Sequence, residues 1–590
     1  MTPQARRAAI GLAVLVAASR WLAMPRTFWE WDDYIFGLAL HNFAPQAYVP
    51  QPPFFPAFIH AARLVRRVVG SDVAALTATS ALASVAGAAL MFVLVRELVG
   101  EARVALSAAA LWAFFPASWF YAGTPISDTA GAAAAIAVLA LSARALRRPG
   151  ALLGAAAVFG LAVGIRPQTA VVVLPALGIA AVRNRRLLPA ALGVAAFSIG
   201  LFWVLPVAAA AGGLRAVVAP IAAQGRYVLR VTSPLSAKPA LAFVFRRWAV
   251  DPWVSPLCAA AVWLAATAGV TLLARRRERR VLAMLGVGAA LYAIAAVLFL
   301  DLAATGRYVL PCLPFAAAAV AVALASAEDR AGIPKGTLTA AFVAAFVFLT
   351  GPAVLVMHRR PSPPVEAAER IRSAAGGRTF AIVYPAELYV PAALLLPRAA
   401  RHEAGKTSAA ALAASPVPVW RYGVSAFPTE EAAWPRLRPF STLGMGRYLE
   451  VPFGPWTPGP DFGSGWFGEE RDRDERFRWM GRRGEVLLPA CAPPARLELS
   501  VLAPLSELGG PPTIEVIVNG AVVDRRTLVA PRTELAYTLA AKKDAPNRLV
   551  LTTDRVFNPK REGRSADDRD LGLEVRNLRW EAAGGPRVPD

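Results

Sequence analysis

The sequence predicts a multi-pass α-helical membrane protein that carries a C-terminal soluble region, and three observations support this fold class. Of the 590 residues, 56% are hydrophobic, and the mean hydropathy is +0.46, which excludes an ordinary soluble protein. Apolar runs long enough to cross a bilayer recur from the N-terminus to Met357. After Met357 the chain becomes proline-rich and charged, and short alternating segments typical of β-strands follow.

The charge distribution indicates a membrane protein rather than a nucleic-acid-binding one. The formal net charge is +23, but much of the basic excess lies in short clusters between the apolar runs. Such clusters mark the cytoplasmic ends of membrane helices. We therefore predict membrane lipids, and no nucleic acid, as partners. The three cysteines are too few for a disulfide framework, and the four histidines have no metal-ligand spacing.

We predict about eleven transmembrane helices from the apolar runs. The runs lie at residues 5–24, 73–95, 103–122, 125–143, 151–182, 188–210, 256–274, 281–300, 308–326 and 337–357. As one helix, the run at 151–182 would be roughly 48 Å long at ~1.5 Å per residue, too long for a ~30 Å bilayer core. Arg166-Pro167 also interrupts it, so we interpret it as a hairpin of two helices.

The basic clusters provide an independent test of that hairpin. With two helices there, the clusters at 6–7, 144–148, 183–186 and 275–280 all fall on one side of the membrane. The positive-inside rule makes that side cytoplasmic. The N-terminus is then cytoplasmic, while the loop after the first helix and the C-terminal region are periplasmic or extracellular. The predicted location is the bacterial-type inner membrane.

The first external loop carries three carboxylates, Glu30, Asp32 and Asp33, within Phe28–Tyr34. A proline-rich turn, Pro50–Pro56, follows about twenty residues later. One interpretation is a catalytic acidic motif at the mouth of a membrane-embedded pocket. The other is a solvated loop whose tryptophans belong to an interfacial aromatic belt. The residues alone leave both interpretations open.

Other polar motifs are predicted at the same membrane face. Asp128, in Ser127-Asp128-Thr129, stands at the external start of a helix, where it is either a helix cap or a functional residue, because a carboxylate in an apolar span is costly. Arg166 lies at the external tip of the hairpin, and Arg307-Tyr308 precede a late helix. Arg166 could hold a phosphate or form a structural ion pair, and the alternative for Arg307 is an ion pair with Asp301 that closes a tight turn.

Taken together, these motifs resemble those of the C-fold (GT-C) membrane glycosyltransferases. This superfamily includes the aminoarabinose transferases, the lipopolysaccharide-core sugar transferases and the protein mannosyltransferases. The resemblance covers roughly the first 360 residues and rests on the acidic loop, Ser127-Asp128-Thr129, Arg166-Pro167 and Arg307-Tyr308. It implies transfer of a sugar from a polyprenyl-phosphate-linked donor to a cell-envelope glycan, lipid or protein outside the cytoplasm.

The resemblance also implies roles for individual residues. Asp32 or Asp33 would act as the base, with Asp128 opposite. The residues expected to bind substrate are Glu30, Arg63, Arg66, Arg67, Arg166, Arg226, Arg307 and Tyr308. Arg63, Arg66 and Arg67 share one face of a predicted helix, where contact with lipid headgroups is the alternative. Paired carboxylates would suit Mg²⁺ or Mn²⁺, although the reaction could also proceed without a metal.

Two other classes of function remain open from the sequence. A transporter or flippase for lipid-linked glycans would use intramembrane acidic and basic residues along a path, but it predicts inverted repeats that the helical region does not display. A non-catalytic glycan-binding membrane anchor would leave the acidic residues on one face without a role.

The predicted domains are a transmembrane domain at 1–358, a linker and small α/β region at 359–459, and a β-sandwich at 460–590. Alternating segments with turns such as Asn519-Gly520 predict an antiparallel sandwich of jelly-roll type. The sandwich loosely resembles carbohydrate-binding domains of cell-envelope glycosyltransferases. Trp466 and Trp479 would stack on sugars, or else belong to the core.

Overall fold

The computed structural model describes residues 3–275, 279–404, 406–407, 411–412, 414–424, 430–444, 448–456, 460–472, 475–562 and 567–583. It confirms the predicted fold class, because a helical membrane region is followed by an α/β unit and an antiparallel β-sandwich. Part of the predicted basic cluster at 275–280 lies outside the described residues.

The helices are numbered here along the chain. In the membrane region they are α1 (Pro3–Leu22), α2 (Trp31–His41), α3 (Pro56–Val69), α4 (Asp72–Val99), α5 (Ala102–Phe114), α6 (Pro116–Phe120), α7 (Asp128–Ala145), α8 (Ala151–Ile165), α9 (Thr169–Arg183), α10 (Leu188–Ile199), α11 (Leu205–Ala211), α12 (Leu214–Tyr227), α13 (Pro234–Ala237), α14 (Leu241–Phe245), α15 (Pro256–Arg275), α16 (Arg279–Val281), α17 (Val287–Phe299), α18 (Thr305–Tyr308), α19 (Leu313–Ala331) and α20 (Thr337–Arg359). Helix α21 (Pro363–Ala375), α22 (Tyr389–Leu395) and α23 (Arg438–Thr442) belong to the α/β unit.

Seven helical segments of the described chain are long and apolar enough to cross a membrane, compared with the eleven predicted. The difference has identifiable causes. Pro116 ends the predicted span at 103–122 early, so that α5 has only 13 residues. The predicted hairpin is present as α8 and α9, which flank Arg166-Pro167, but each helix has 15 residues. A helix perpendicular to the bilayer needs about 20 residues to span it.

The α/β unit contains one five-stranded sheet. Its strands are β1 (Ala381–Tyr384), β2 (Ala400–Glu403), β3 (Val419–Tyr422), β4 (Glu430–Ala433) and β5 (Glu450–Pro455). They lie in the order β2-β1-β3-β5-β4; β1 pairs in parallel with β2 and β3, and the other pairs are antiparallel. Helix α21 and strand β1 begin the α/β region that the sequence predicts within 359–459.

The C-terminal region forms two five-stranded sheets with antiparallel pairing, as predicted. One sheet has the order β13-β10-β15-β8-β7 and the other β12-β11-β14-β9-β6. The strands are β6 (Asp461–Phe462), β7 (Trp466–Asp472), β8 (Glu475–Met480), β9 (Arg483–Leu488), β10 (Ala495–Leu502), β11 (Thr513–Val518), β12 (Ala521–Thr527), β13 (Arg532–Leu539), β14 (Asn547–Thr553) and β15 (Glu574–Ala582). Asn519 (φ +52°) and Gly520 (φ +88°) turn β11 into β12, because a two-residue hairpin turn of this kind needs positive φ at both positions.

Candidate active site

The two aspartates of the first loop, Asp32 and Asp33, both lie at the start of α2 but make different contacts. The Asp33 Oδ2 accepts hydrogen bonds from the backbone N–H groups of Trp29, at 3.0 Å, and Glu30, at 3.1 Å. Burial raises the pKa of the Asp33 carboxyl well above its usual range, and the neighbouring Glu30 charge adds to this, while the two backbone hydrogen bonds oppose it. Asp33 therefore closes the first turn of α2, and Asp32 is the loop aspartate that contacts other elements.

Asp32 contacts two distant parts of the chain. Its Oδ1 accepts a 2.6 Å hydrogen bond from Gln51 Nε2, and its Oδ2 accepts one from Arg307 Nη1. The Asp32 and Arg307 side chains are 17% and 10% exposed, so their ion pair is shielded from solvent. Gln51 belongs to the proline-rich turn Pro50–Pro56. The sequence analysis noted this turn but did not predict Gln51 as a site residue.

Asp128 forms a buried ion pair with Arg166. The Arg166 Nη1 lies 2.9 Å from Asp128 Oδ2 and Nη2 lies 2.8 Å from Oδ1, with the side chains only 7% and 3% exposed. Arg166 Nη1 also donates to Ser127 Oγ at 3.2 Å. Ser127, not Asp128, occupies the N-cap position of α7, so the interpretation of Asp128 as the cap is wrong. The arginine between α8 and α9 holds its carboxylate instead.

Tyr308 joins these two ion pairs. Its ring centroid lies 5.3 Å from the guanidinium carbon of Arg307 and 5.9 Å from that of Arg166, distances of cation–π contacts. The structure thus brings Asp32, Arg307, Tyr308, Arg166 and Asp128 together in a row in which acids flank two arginines. We call these five residues the charged array.

Three buried polar atoms at the array have unmet hydrogen-bonding capacity. Gln51 Oε1, Asp128 Oδ1 and Arg307 Nε have no hydrogen-bond partner within the described part of the chain. Asp128 Oδ1 is close to Arg166 Nη2, at an ion-pair distance but outside hydrogen-bond geometry. Buried polar atoms are nearly always hydrogen-bonded, so their grouping beside these ion pairs makes the array the candidate binding site.

Glu30, also predicted to bind substrate, is buried at the N-cap of α2, beside the aspartates. Arg63 lies at the other end of that helix, where its guanidinium donates to the carbonyl oxygens of Leu40, at 3.0 Å, and Ala39, at 2.8 Å. It therefore satisfies the last turn of α2. Its guanidinium thus contacts the end of α2 and not the charged array.

The remaining predicted arginines also lie away from the array. Arg66 pairs with Asp72 at 2.5 Å, and Asp72 contacts His41 as well. Arg67 on α3 and Arg226 on α12 are exposed. Among the described residues, no contact joins any of these three arginines to Asp32 or Asp128.

The two predicted sugar-stacking tryptophans pack within the sandwich. Trp466 Nε1 donates to the carbonyl of Glu485 at 3.0 Å, and its ring meets Phe462 edge-on at 4.9 Å. Trp479 contacts Phe557 edge-on at 6.0 Å. Both are half-buried against the core between the sheets. Their geometry corresponds to the core alternative that the sequence left open.

The array does not fit the Mg²⁺ or Mn²⁺ that paired carboxylates suggested. Arg307 and Arg166 already neutralise Asp32 and Asp128, and a dication between the acids would meet two guanidinium groups. Within the described residues, we find no group of three or more histidine, cysteine, aspartate or glutamate side chains that could hold a metal ion.

One segment of the α/β unit reaches into the membrane region, which sequence reasoning missed. We call residues 434–444 the docking segment. Trp434 and Phe440 stack at 4.9 Å, and Trp434 lies 5.4 Å from Trp29, beside the acidic loop. The carbonyl of Leu443 accepts a 2.5 Å hydrogen bond from Tyr121 Oη.

The docking segment also touches the element that carries Arg307. A Cβ added to Gly306 would lie 2.4 Å from the Leu443 carbonyl oxygen, so only glycine allows this approach. Arg247 Nη1 donates to the carbonyl of Thr442 at 3.2 Å and to Asp251 Oδ2 at 2.9 Å. The docking segment thus contacts the first loop, the end of α6 and α18. A cluster of aromatic residues in 434–440 is the signal that could have indicated this packing.

Comparison with known proteins adds a sequence-level observation. Residues 50–209 match the family model of Dolichyl-phosphate-mannose-protein mannosyltransferase. This match includes Asp128 and Arg166, and it confirms the predicted resemblance to C-fold glycosyltransferases. No curated protein sequence matches the chain.

Several solved structures are similar to this chain. ArnT from Cupriavidus metallidurans, bound to undecaprenyl phosphate, has 15% sequence identity and a TM-score of 0.47, over 75% of this chain and 97% of that one. The Archaeoglobus fulgidus oligosaccharyltransferase has 13% identity and a TM-score of 0.40, over 66% and 62% of the two chains. Arabinosyltransferase EmbB from Mycobacterium smegmatis has 14% identity and a TM-score of 0.34, over 99% and 66%.

Proposed function

We propose that this chain is a membrane glycosyltransferase that transfers a sugar from a polyprenyl-phosphate-linked donor to an extracytoplasmic acceptor. The observation that carries the proposal is the charged array together with two buried polar atoms that have no partner among the described residues, Gln51 Oε1 and Arg307 Nε. A phosphate needs cationic donors, and a sugar offers hydroxyls to acceptors. The array supplies both, and the family match over 50–209 supports the same chemistry.

In the proposed reaction, Asp32 is the base. An acceptor hydroxyl oxygen bonds to the anomeric carbon of the donor sugar while the bond from that carbon to the phosphate oxygen breaks. The hydroxyl proton passes to the Asp32 carboxylate, and the polyprenyl phosphate leaves with one additional negative charge. Arg307 and Arg166 stabilise that charge, because positive groups in a buried site act most strongly on charge that develops there.

The orientation is part of the proposal. The array lies at the start of α2, the start of α7, the end of α8 and the end of α18. If the dense basic clusters face the cytoplasm, these helix ends face the other side, together with the α/β unit and the sandwich. The acceptor then belongs to the cell envelope. The site would work at the periplasmic or extracellular face of the inner membrane.

Two neighbouring substitutions test the assignment of the base. We expect Asp32→Asn to lower sugar transfer by about 10²- to 10⁴-fold, because the amide keeps the shape but cannot accept the proton. Asp33→Asn is the matched control, since Asp33 bonds the backbone of Trp29 and Glu30. It should lower stability more than the intrinsic rate of transfer.

The measurement is release of polyprenyl phosphate in proteoliposomes supplied with a panel of polyprenyl-phosphate hexoses and pentoses and a cell-envelope extract as acceptor. Thermal unfolding of both variants is followed in parallel. Full activity of Asp32→Asn, with wild-type turnover from the same donor, would refute the role of Asp32. The glycosyltransferase proposal itself would fail if the wild-type protein consumed no donor of the panel.

A further inference from the structure

The α/β unit contains a cavity that the proposed reaction does not use. It has a volume of about 390 Å³ and is lined by Glu387, Leu388, Gly423, Tyr448, Glu450 and Val451, among others. Cavities that bind small molecules in proteins have volumes of about 300 to 1,000 Å³. The cavity lies in the part of the chain that follows the membrane helices.

The cavity sits at the position in this sheet where ligands usually bind. Pro385 follows β1 directly and Gly423 follows β3, and these strands are parallel neighbours. The chain leaves β1 for β2 on one side and then returns to β3 on the other side of β1. The carboxyl ends of β1 and β3 are therefore the topological switch point, where a crevice opens in α/β sheets because the connections diverge.

The walls of the cavity are fixed by specific contacts. Gly423 has φ +80°, and a Cβ there would lie 2.1 Å from Leu388 Cδ1, so a larger residue would displace the cavity wall. Tyr448 is 5% exposed, and its hydroxyl donates to the carbonyl of Glu387 at 2.8 Å. This bond holds the backbone of Glu387 at the rim.

The chemistry of the lining favours a neutral, hydroxyl-rich ligand. Glu387 and Glu450 bring two carboxylates to the cavity, next to the ring of Tyr448. Carboxylate oxygens accept hydrogen bonds from sugar hydroxyls. The same carboxylates repel phosphate. Arg436 pairs with Glu450 at 3.9 Å, but both side chains are more than 40% exposed, so solvent weakens this pair.

The cavity is also packed onto the helix that carries Asp32. Helix α22 begins directly after the Glu387-Leu388 wall, and its Val390 shares a buried cluster with Tyr34 and Ile35 of α2. Strand β5, which contributes Glu450 and Val451, follows the docking segment in the sequence. The cavity and the acidic loop thus belong to one packed unit.

From these observations we propose that the cavity binds a neutral sugar residue of the acceptor glycan, which deepens and rests on the glycosyltransferase function proposed above. An acceptor held here by one sugar unit presents the rest of its chain to the membrane region. The charged array binds the anionic donor, while the acidic cavity selects a neutral acceptor. The different charges of the two sites therefore distinguish the donor from the acceptor.

Saturation-transfer NMR on the full-length protein in nanodiscs tests this proposal directly. The probes are glucose, galactose, mannose, N-acetylglucosamine and arabinose, their β-linked disaccharides, and mannose 6-phosphate. We expect at least one neutral sugar to bind and the phosphorylated sugar to bind far more weakly. The double variant Glu387→Gln with Glu450→Gln should weaken binding by about tenfold or more, since hydrogen bonds to charged groups are lost.

Two controls make the result interpretable. Glu369→Gln removes an exposed carboxylate on α21 that does not line the cavity, and it should bind sugar like the wild type. Because Glu387 is exposed, Glu387→Gln alone repeats the test should the double variant fail to fold. Asp32→Asn should retain sugar binding, so a failure of the proposed chemistry is distinguishable from a failure of this site.

Three results would overturn the assignment. One is the absence of a signal from every sugar of the panel. Another is wild-type affinity in Glu387→Gln and in the double variant. The third is a preference for mannose 6-phosphate over mannose, which would make the cavity an anion site.

Discussion

The buried pair of Arg166 and Asp128 permits the sharpest stability prediction. Both side chains are at most 7% exposed, and two nitrogen–oxygen contacts of 2.8 and 2.9 Å join them. Arg166→Gln leaves the Asp128 carboxylate buried without its counter-charge, and breaking such a pair costs about 3 to 5 kcal/mol. Arg166→Lys should cost less, because it keeps the charge but loses the planar fork that reaches both oxygens.

The assay is reversible unfolding of the purified protein in mixed micelles, followed by tryptophan fluorescence. Arg66→Gln is the matched control, because Arg66 and Asp72 form a pair whose side chains are 39% and 30% exposed. Exposed pairs contribute about 0 to 1 kcal/mol. Adding Asp128→Asn to Arg166→Gln should recover most of the loss, since the unpaired charge disappears. Equal losses for Arg166→Gln and Arg66→Gln would refute the reasoning.

Two further predictions concern the regions outside the membrane helices. Trp434→Ala removes the stack with Phe440 and the contact with Trp29. We therefore expect a loss of about 3 to 5 kcal/mol in unfolding free energy and faster proteolysis after residue 360. An unchanged proteolysis rate would contradict the docking of this segment. In the sandwich, hydrogen bonds from Arg576 hold the pKa of Glu475 below its usual range, so the pair stabilises the fold at neutral pH. This contribution begins to fall as the pH drops below about 4.3 and is lost as the pH passes through the lower pKa of the folded state. Glu475→Gln should therefore reduce the drop in melting temperature between pH 7 and pH 4, and an identical drop would count against it.

The class of each region followed from local patterns. Hydropathy located the helical region, and strand alternation indicated the β-rich region that contains β10, β11 and β14. These signals depend on neighbours in the sequence, so one chain suffices to detect them. The turn at Asn519-Gly520 is also local, because it depends on the φ angles that those two residues tolerate.

The contacts that build the site are not local. Arg307 reaches Asp32 across 275 positions, and Tyr121 bonds Leu443 across 322. Hydropathy and spacing contain no information on which arginine pairs with which acid, so Arg63 and Arg166 looked equally suited to phosphate. The sequence likewise does not distinguish Asp32 from Asp33. At the start of α2, Asp33 points back to the backbone of Trp29 and Glu30, while Asp32 contacts Arg307.

The pairing within the array has a consequence for the proposed reaction. With Asp32 and Asp128 ionised, the two arginines make the array neutral before the donor arrives. A donor phosphate that binds Arg307 Nε competes with Asp32 for the same guanidinium, because one cation then interacts with two anions. In the proposed reaction, the Arg307 guanidinium is then shared between the donor phosphate and Asp32, so the Asp32 carboxylate is held less tightly while the donor is in place. Without a donor, the Asp32 carboxylate remains paired with Arg307, which couples its release for proton abstraction to the presence of the sugar that is to be transferred.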